Sequence, residues 1–322
     1  MAGRGRYALP NTMMIMKLRP RLWLFCLILL SVCSVTIAED KPAEAAKPSG
    51  SSQAKYVRTE DVIYGRKFGT ALTLDVFQPE TRNGVGLVFM VSGGFYSSHE
   101  AVNAGLFQEM LNRGYTVFAV VHGSQPKFTI PEITEDIHRA IRFVRYHAKD
   151  YGVDPRQLGI FGASAGGHLS VTMATQGKAG KPDAKDPVDR ESSAVQAVAC
   201  FFPPTDFLNY GEPGKDAVGV GVLAGFKAAF GPRADTAESR QVYGKEISPI
   251  YFVHSNMPPI LIIHGDADKL VPIQQAQSFL EKARAMNTAD MKLETRPGKE
   301  HGWTDMKPDI AVLADWFDAH LK

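Results

Sequence analysis

The sequence predicts an α/β fold, with a mostly parallel central sheet, helices on both faces and an antiparallel edge at its N-terminal side. Short continuous apolar runs recur along the chain, as is typical of parallel strands buried on both faces. These runs alternate with amphipathic stretches of helical period. The first two strand-like segments are different, because the second of them alternates polar and apolar residues, which indicates a half-exposed antiparallel hairpin.

The predicted elements follow in chain order. The hairpin comprises residues 56–64 and 71–77, with a turn over 65–69. We predict the later strands at residues 85–91, 115–121, 158–161, 194–202, 260–263 and 291–296. We predict helices at residues 104–112, 134–147, 273–286 and 308–321, and one more that starts directly after Ser164. Residues 203–257 interrupt this alternation, since connections usually span only ~2–6 residues. We expect this segment to form a cap or lid above the carboxyl ends of the strands.

The first 55 residues differ in composition from the rest. Basic residues precede an apolar run at 22–32, and small residues follow as far as Ala38, so we expect residues 1–38 to be a signal peptide cleaved near Ala38. The apolar run is shorter than the ~20 residues of a membrane span, and an uncleaved anchor helix is the alternative. Residues 39–55 have the composition of a linker. We therefore expect an exported protein, periplasmic or secreted, with a catalytic domain at 56–322 and membrane contact only through the signal.

Charge and cysteine content argue against several partners. The chain carries +2, but residues 1–38 hold five basic and no acidic residues, so the remainder carries −3. No basic run with interleaved aromatic residues occurs there, and we expect no nucleic-acid partner. Cys26 and Cys33 lie in the signal, which leaves Cys200 as a buried apolar residue without a disulfide partner. No histidine pair has metal-ligand spacing with acids, so we expect no metal and no other cofactor.

The run Gly162-Ala163-Ser164-Ala165-Gly166 matches the G-x-S-x-G pattern between a predicted strand and a predicted helix. Such a turn projects the serine Oγ from the edge of the sheet. The glycines are small because the turn brings backbone segments close together. The Ala165 N–H is left free at a helix N-terminus. We predict Ser164 as a nucleophile and the Ala165 N–H as an oxyanion donor.

Candidates for the acid and the base follow later in the chain. Asp266 and Asp268 come at the carboxyl end of a predicted buried strand, where sites of parallel sheets form. Asp268 is favoured because it lies further into the loop, whereas Asp266 is better placed to fix the turn. His301 follows the last predicted strand. The order Ser164, Asp268, His301 is the one expected when the serine sits on such a turn, with His301 as base and Asp268 holding its tautomer.

A second oxyanion donor should come from the loop after the strand at 85–91. That loop contains Gly93 and Gly94, which let the backbone approach a ligand closely. Phe95, the next residue, and His122, which follows the strand at 115–121, are candidates for lining the pocket. The remaining histidines are expected in packing or turns, including His168 on the helix behind Ser164.

Four motifs carry a family resemblance: SGGF at 92–95, GASAGGH at 162–168, HGDADKLVP at 264–272 and EHGW at 300–303. From about residue 56 to the end, the chain resembles α/β-hydrolases of the esterase/lipase type, close to the feruloyl- and acetylxylan-esterase-like group. In that family the acid of H-G-x-x-D is the second aspartate, which corresponds to Asp268. One departure is that Val91-Ser92-Gly93-Gly94 stands where many relatives have His-Gly-Gly-Gly.

The resemblance implies the α/β-hydrolase fold and a serine hydrolase that cleaves carboxylic esters through an acyl-enzyme. Its substrate would be a small-molecule ester or acyl groups on a polysaccharide. An amide hydrolase of the oligopeptidase or aminopeptidase kind is an alternative, because the same fold and triad serve both reactions. A non-catalytic binding protein on the same scaffold is a further alternative, which predicts the loss of a triad residue, and none is lost here.

Overall fold

The structure is a computed structural model that describes residues 54–288 and 290–321. The predicted signal at 1–38 and all but the last two residues of the predicted linker lie outside the described residues. Cys26 and Cys33 lie there too.

An eight-stranded sheet forms the centre of the described chain, in the order β1-β2-β4-β3-β5-β6-β7-β8. The strands are β1 Tyr56–Lys67, β2 Thr70–Pro79, β3 Gly86–Val91, β4 Thr116–Val121, β5 Leu158–Ala163, β6 Ala197–Phe201, β7 Ile260–Gly265 and β8 Met291–Arg296. The β1–β2 and β2–β4 pairs are antiparallel. All later neighbours are parallel. The predicted α/β class with its antiparallel N-terminal edge is therefore confirmed.

Helices cover both faces of this sheet. They are α1 Gln108–Asn112, α2 Ile130–Tyr146, α3 Ala165–Gln176, α4 Lys227–Phe230, α5 Ala237–Ile247, α6 Gln274–Ala285 and α7 Lys307–His320. One apolar core joins α2, α3 and α6 to Val88 and Met90 of β3. A second core joins α1 and α7 to Leu87 and Phe89 of the same strand. Alternate residues of β3 thus enter opposite cores, because side chains alternate across a strand.

Several element boundaries differ from the prediction for local reasons. Helix α2 starts at Ile130 because Thr129 and Glu132 form a capping box and Pro131 occupies its first turn. The turn predicted at 65–69 shrinks to residues 68–69, since β1 continues through Lys67. The helix predicted at 104–112 is divided into a 3-10 turn, Ala104–Leu106, and α1. The strand predicted at 194–202 is shorter, at Ala197–Phe201, and contains the fully buried, unpaired Cys200.

The segment 203–257 joins β6 to β7 and contains no described strand. It is built from α4, α5 and the 3-10 turns Gly221–Phe226, Pro232–Ala234 and Pro249–Phe252. Buried residues of the segment, including Phe207 and Phe230, join the same apolar core as α3. It therefore packs onto the edge of the sheet where the predicted site lies.

Among residues 54–288 and 290–321, no helix combines the length and apolar character needed to cross a lipid bilayer.

Candidate active site

Ser164 occupies a sharp turn between β5 and α3. Its backbone has a φ of 55° and a ψ of −119°, a conformation that non-glycine residues adopt at a cost of about 1–3 kcal/mol. A Cβ at Gly162 would lie 2.7 Å from the Gly166 backbone and 3.0 Å from the Met90 Cβ. The turn therefore requires glycine at 162, as the sequence pattern indicated. The Ser164 N–H donates to the Phe201 carbonyl at 3.1 Å, which ties the turn to β6.

The structure brings Ser164, His301 and Asp268 into one hydrogen-bonded chain. Ser164 Oγ lies 2.9 Å from His301 Nε2. His301 Nδ1 lies 2.8 Å from Asp268 Oδ2. A carboxylate can only accept, so His301 Nδ1 carries the proton and Nε2 is free to accept the serine proton. This is the arrangement in which a serine hydroxyl can be deprotonated as it attacks a carbonyl.

Asp268 is buried and held by several donors. Its Oδ1 accepts the N–H groups of Leu270 and Val271 at 2.9 and 2.8 Å. His264 Nε2 donates to the Val271 carbonyl at 2.8 Å and also lies 3.4 Å from Asp268 Oδ2. Burial alone would raise the pKa of the Asp268 carboxyl, but hydrogen bonds from His264, His301 and the Val271 N–H hold that pKa well below its usual range. Asp268 therefore stays ionised beside the imidazole.

Asp266, the alternative acid, is placed differently. It is exposed, and its Oδ1 accepts the Gly298 N–H at 2.6 Å. It thus connects the loop after β7 to the loop after β8. Of the two aspartates, only Asp268 contacts His301 in the described structure.

Aromatic rings support the loop that carries His301. The Phe202 ring lies 4.5 Å from the imidazole, and Phe202 has a positive φ of 34° directly after β6. Trp303 packs against Phe202 at 5.9 Å, and its Nε1–H donates to Asp309 Oδ2 at 2.8 Å. Asp309, on α7, also accepts from Arg296 Nε at 2.5 Å. These contacts support the loop that positions His301.

We call residues 92–95, the loop after β3, the oxyanion loop. One of the two donors predicted in this loop, Gly93, is not available. The Gly93 N–H donates to the Tyr96 carbonyl at 3.0 Å in a short bridge, so it is not available to a ligand. The N–H groups of Gly94 and Ala165 have no hydrogen-bond partner within the described residues. Both residues border the same cavity as Ser164. Gly94, with a φ of 55°, and Ala165 are therefore the pair that can receive an oxyanion.

An apolar cavity of about 30 Å³ lies beside Ser164. Phe95, a candidate for lining the pocket, borders it together with Leu270 and Val271 from the loop after β7. The segment 203–257 supplies the other wall through Pro204, Phe207, Leu223, Phe226 and Phe230. The predicted cap segment thus borders the nucleophile.

His122 does not line this cavity, contrary to the prediction. It is buried, and its Nδ1–H donates to the Gly123 carbonyl at 2.8 Å. Burial lowers the pKa of His122 to about 4. Its imidazole is therefore neutral and belongs to the packing behind the oxyanion loop.

His168 lies between the oxyanion loop and the segment 203–257. Its ring centroid is 5.5 Å from that of Phe95 and 5.2 Å from that of Phe207. Its Nδ1–H donates to the Pro204 carbonyl at 3.0 Å. Burial lowers the pKa of His168 to about 4, so the side chain is neutral at pH 7.

The structure contains a cluster of ligand-type side chains away from Ser164 that the sequence did not indicate. Ligand-type atoms of Glu60, Asp75 and His99 all lie within 4.8 Å of one another, although the residues are far apart in the chain. Arg58 occupies the middle of this cluster, with its guanidinium 2.9 Å from Asp75 and 3.1 Å from Glu60. A metal ion would have to displace this cation, so the donor set fits an ion-pair network.

Other supporting residues were also missed. His264 was expected to serve packing, yet its position four residues before Asp268 brings it against the carboxylate. Phe226 ends a 3-10 turn and Phe202 follows β6 directly, and no motif in the sequence marks either residue as part of the site.

The fold and the assembled serine, histidine and aspartate define this protein as an α/β-hydrolase. The chain belongs to the BD-FAE family, whose model matches residues 74–283. The match includes Ser164 and Asp268 and ends before His301.

Relatives and solved structures agree with this class. The chain is 26% identical over 253 residues to the "probable carboxylic ester hydrolase LipM" of Mycobacterium tuberculosis, covering 77% of this chain and 57% of that protein. It is 27% identical over 275 residues to esterase LipQ of the same organism, covering 81% and 63%. The chain thus spans less than two thirds of the length of these relatives. A truncated carbohydrate esterase from gut microbiota has the same fold, with a TM-score of 0.69, 23% identity and coverage of 84% of this chain and 99% of that one.

Proposed function

We propose that this protein hydrolyses carboxylic esters through an acyl-enzyme formed on Ser164. The observation that carries the proposal is the unbroken hydrogen-bonded chain from Ser164 Oγ through His301 to the buried Asp268. The names of the relatives, which are esterases, support the same reaction.

In the acylation step, Ser164 Oγ attacks the ester carbonyl carbon while His301 Nε2 takes the hydroxyl proton. The carbonyl oxygen becomes an oxyanion beside the N–H groups of Gly94 and Ala165. Each such donor typically contributes about 3 kcal/mol to transition-state stabilisation. The intermediate then collapses, the bond to the alcohol oxygen breaks, and His301 gives its proton to the departing alcohol.

Deacylation repeats these roles with water. His301 Nε2 takes a proton from a water molecule, whose oxygen attacks the acyl carbon. The second tetrahedral intermediate releases the carboxylic acid and returns the proton to Ser164 Oγ. Asp268 remains an anion throughout and stabilises the imidazolium in both steps.

The cavity chemistry favours esters over aminoacyl amides. An aminopeptidase must bind the charged ammonium group of its substrate, and burying an unpaired charge is strongly unfavourable. Among the described residues that line the cavity, none is acidic. An acid that received the ammonium group would have to lie elsewhere.

We propose that the natural substrates are acyl esters of carbohydrates and that the protein encounters them outside the cytoplasm. The carbohydrate part is supported by the structural likeness to a carbohydrate esterase from gut microbiota. Export is supported by the signal-type pattern of residues 1–38.

The proposal is tested with short-chain aryl esters, acetylated sugars and a fluorophosphonate probe. The mature protein should turn over the esters and be labelled once, whereas Ser164→Ala should lose both properties. The exposed Ser255→Ala variant, matched in chemistry, should behave as the parent protein. A Ser164→Ala variant with undiminished turnover would overturn the mechanism.

A further inference from the structure

We propose that Phe226 limits the acyl part of the substrate to a short, uncharged chain, with acetyl as the best fit. This inference rests on the proposed ester hydrolysis. It adds that the acyl part of the ester occupies the cavity. The specificity would then be set by a residue of the segment 203–257 and not by the triad.

The size of the cavity is the first observation. Its volume of about 30 Å³ leaves room for roughly one or two water-sized groups. An acyl group bound to Ser164, with its oxygen at Gly94 and Ala165, has to place its carbon chain in this space. A methyl group fits, while each added methylene has to displace a wall.

The position of Phe226 is the second observation. A Cβ built at Gly94 would lie 2.4 Å from Phe226 Cε1 and 2.8 Å from Cδ1. The phenyl ring therefore rests against the oxyanion loop itself, beside the space where the acyl chain must begin. Phe226 ends the 3-10 turn Gly221–Phe226, whose Leu223 is buried in the same wall.

The other aromatic walls are fixed more firmly. Phe207 and Phe230 are fully buried and pack edge to face, with their ring centroids 5.2 Å apart. Phe226 is only half-buried and has no aromatic ring pair among the described residues. It is therefore the aromatic wall residue that can be truncated without opening the core.

The chemistry of the walls excludes charged acyl groups. The described residues lining the cavity, apart from Ser164 itself, offer only apolar side chains and glycine. A carboxylate or ammonium group on the acyl chain would lose its water without gaining a partner, which is strongly unfavourable. We expect the alcohol part of the ester to lie towards solvent, where the residues lining the cavity do not restrict it.

The test compares kcat/KM for p-nitrophenyl acetate, butyrate, hexanoate and octanoate, which share one leaving group. The parent enzyme should lose about 10- to 100-fold between acetate and hexanoate, as expected when added methylenes meet the apolar walls of a small cavity. Phe226→Ala should remove most of this loss and favour hexanoate, with Phe226→Leu intermediate. Val222→Ala, an exposed change in the same turn that does not line the cavity, should keep the parent profile.

The outcomes separate the two proposals. A parent enzyme that hydrolyses all four esters equally, or a Phe226→Ala profile parallel to the parent profile, overturns the role of Phe226 and leaves ester hydrolysis intact. A folded parent protein that hydrolyses none of them overturns the proposed function. If Phe226→Ala does not fold, the Phe226→Leu profile decides in the same way.

Discussion

The loops after β3, β5, β7 and β8 form one region around Ser164, and the segment 203–257 forms a second region that borders the same cavity, but the two regions are held by different interactions. The first group carries Ser164, Asp268 and His301, whose side chains are fixed by directional hydrogen bonds of 2.8–2.9 Å. The second contributes apolar rings from short turns, held by packing. Directional bonds fix a reacting atom in place, whereas apolar packing tolerates changes of shape. The comparison suggests that the reaction is encoded in the first region and substrate choice in the second.

The largest predicted effect separates the two aspartates of the first region. Asp268→Asn should lower kcat about 10⁴-fold, the size seen when the triad acid is replaced and the imidazole takes the wrong tautomer. Asp266→Asn, two residues away and exposed, should change kcat little, because the Asp266 carboxylate accepts the Gly298 N–H and does not contact His301 among the described residues. Steady-state hydrolysis of an aryl acetate measures both. Equal losses of kcat for the two variants would mean that the conformation of the loop after β7, and not the carboxylate beside His301, determines the rate.

The second prediction tests the point where the two regions touch. Gly94→Ala should lower kcat on the order of 10²–10³-fold, because the new Cβ meets Phe226 and displaces the oxyanion donor. Gly93→Ala is the matched control, since its Cβ would have nothing within 4 Å. The same kinetic assay applies, and the double variant Gly94→Ala/Phe226→Ala should recover part of the loss. An impaired Gly93→Ala and an unimpaired Gly94→Ala would return the donor role to Gly93.

The third prediction concerns His168, which contacts both regions. Because burial lowers its pKa to about 4, the unfolded chain, with an ordinary pKa of about 6.5, binds a proton that the folded chain does not. His168 therefore removes stability as the pH falls from about 6.5 towards 4, by up to about 1.4 kcal/mol per pH unit, and has no such effect above that range. Asp268, whose folded pKa is depressed, removes stability only at still lower pH.

Urea unfolding at several pH values measures this effect. His168→Gln keeps a donor for the Pro204 carbonyl but cannot take up the proton, so its free energy of unfolding should fall less steeply between pH 6.5 and 4. The exposed His254→Gln variant serves as the control. Parallel curves for His168→Gln and the parent protein would contradict a neutral, buried imidazole at this junction.

The first region could be predicted from the sequence because short motifs mark it. The glycines around Ser164 reflect a turn that a Cβ at 162 would block. The order Ser164, Asp268, His301 and the strand before each residue identified the edge of the sheet where they meet. The strand at 291–296 was predicted with its correct ends.

The second region could not be predicted beyond its length. Phe226 reaches Gly94 through the 3-10 turn Gly221–Phe226, and no period in the sequence describes that path. The donor role assigned to Gly93 failed for a related reason. Two adjacent glycines look alike in a sequence, and only the bridge to Tyr96 decides which N–H stays free. The Glu60, Asp75 and His99 cluster likewise depends on long-range contacts.

The hydrogen bond from Trp303 to Asp309 bears on the order in which the elements of the site assemble during folding. Asp309 lies in the first turn of α7, and it anchors the Trp303 ring, which packs against Phe202 beside the imidazole. A chain synthesised only as far as His301 would contain all three triad residues without this anchor. The support beside His301 is therefore complete only when the first turn of α7 has docked.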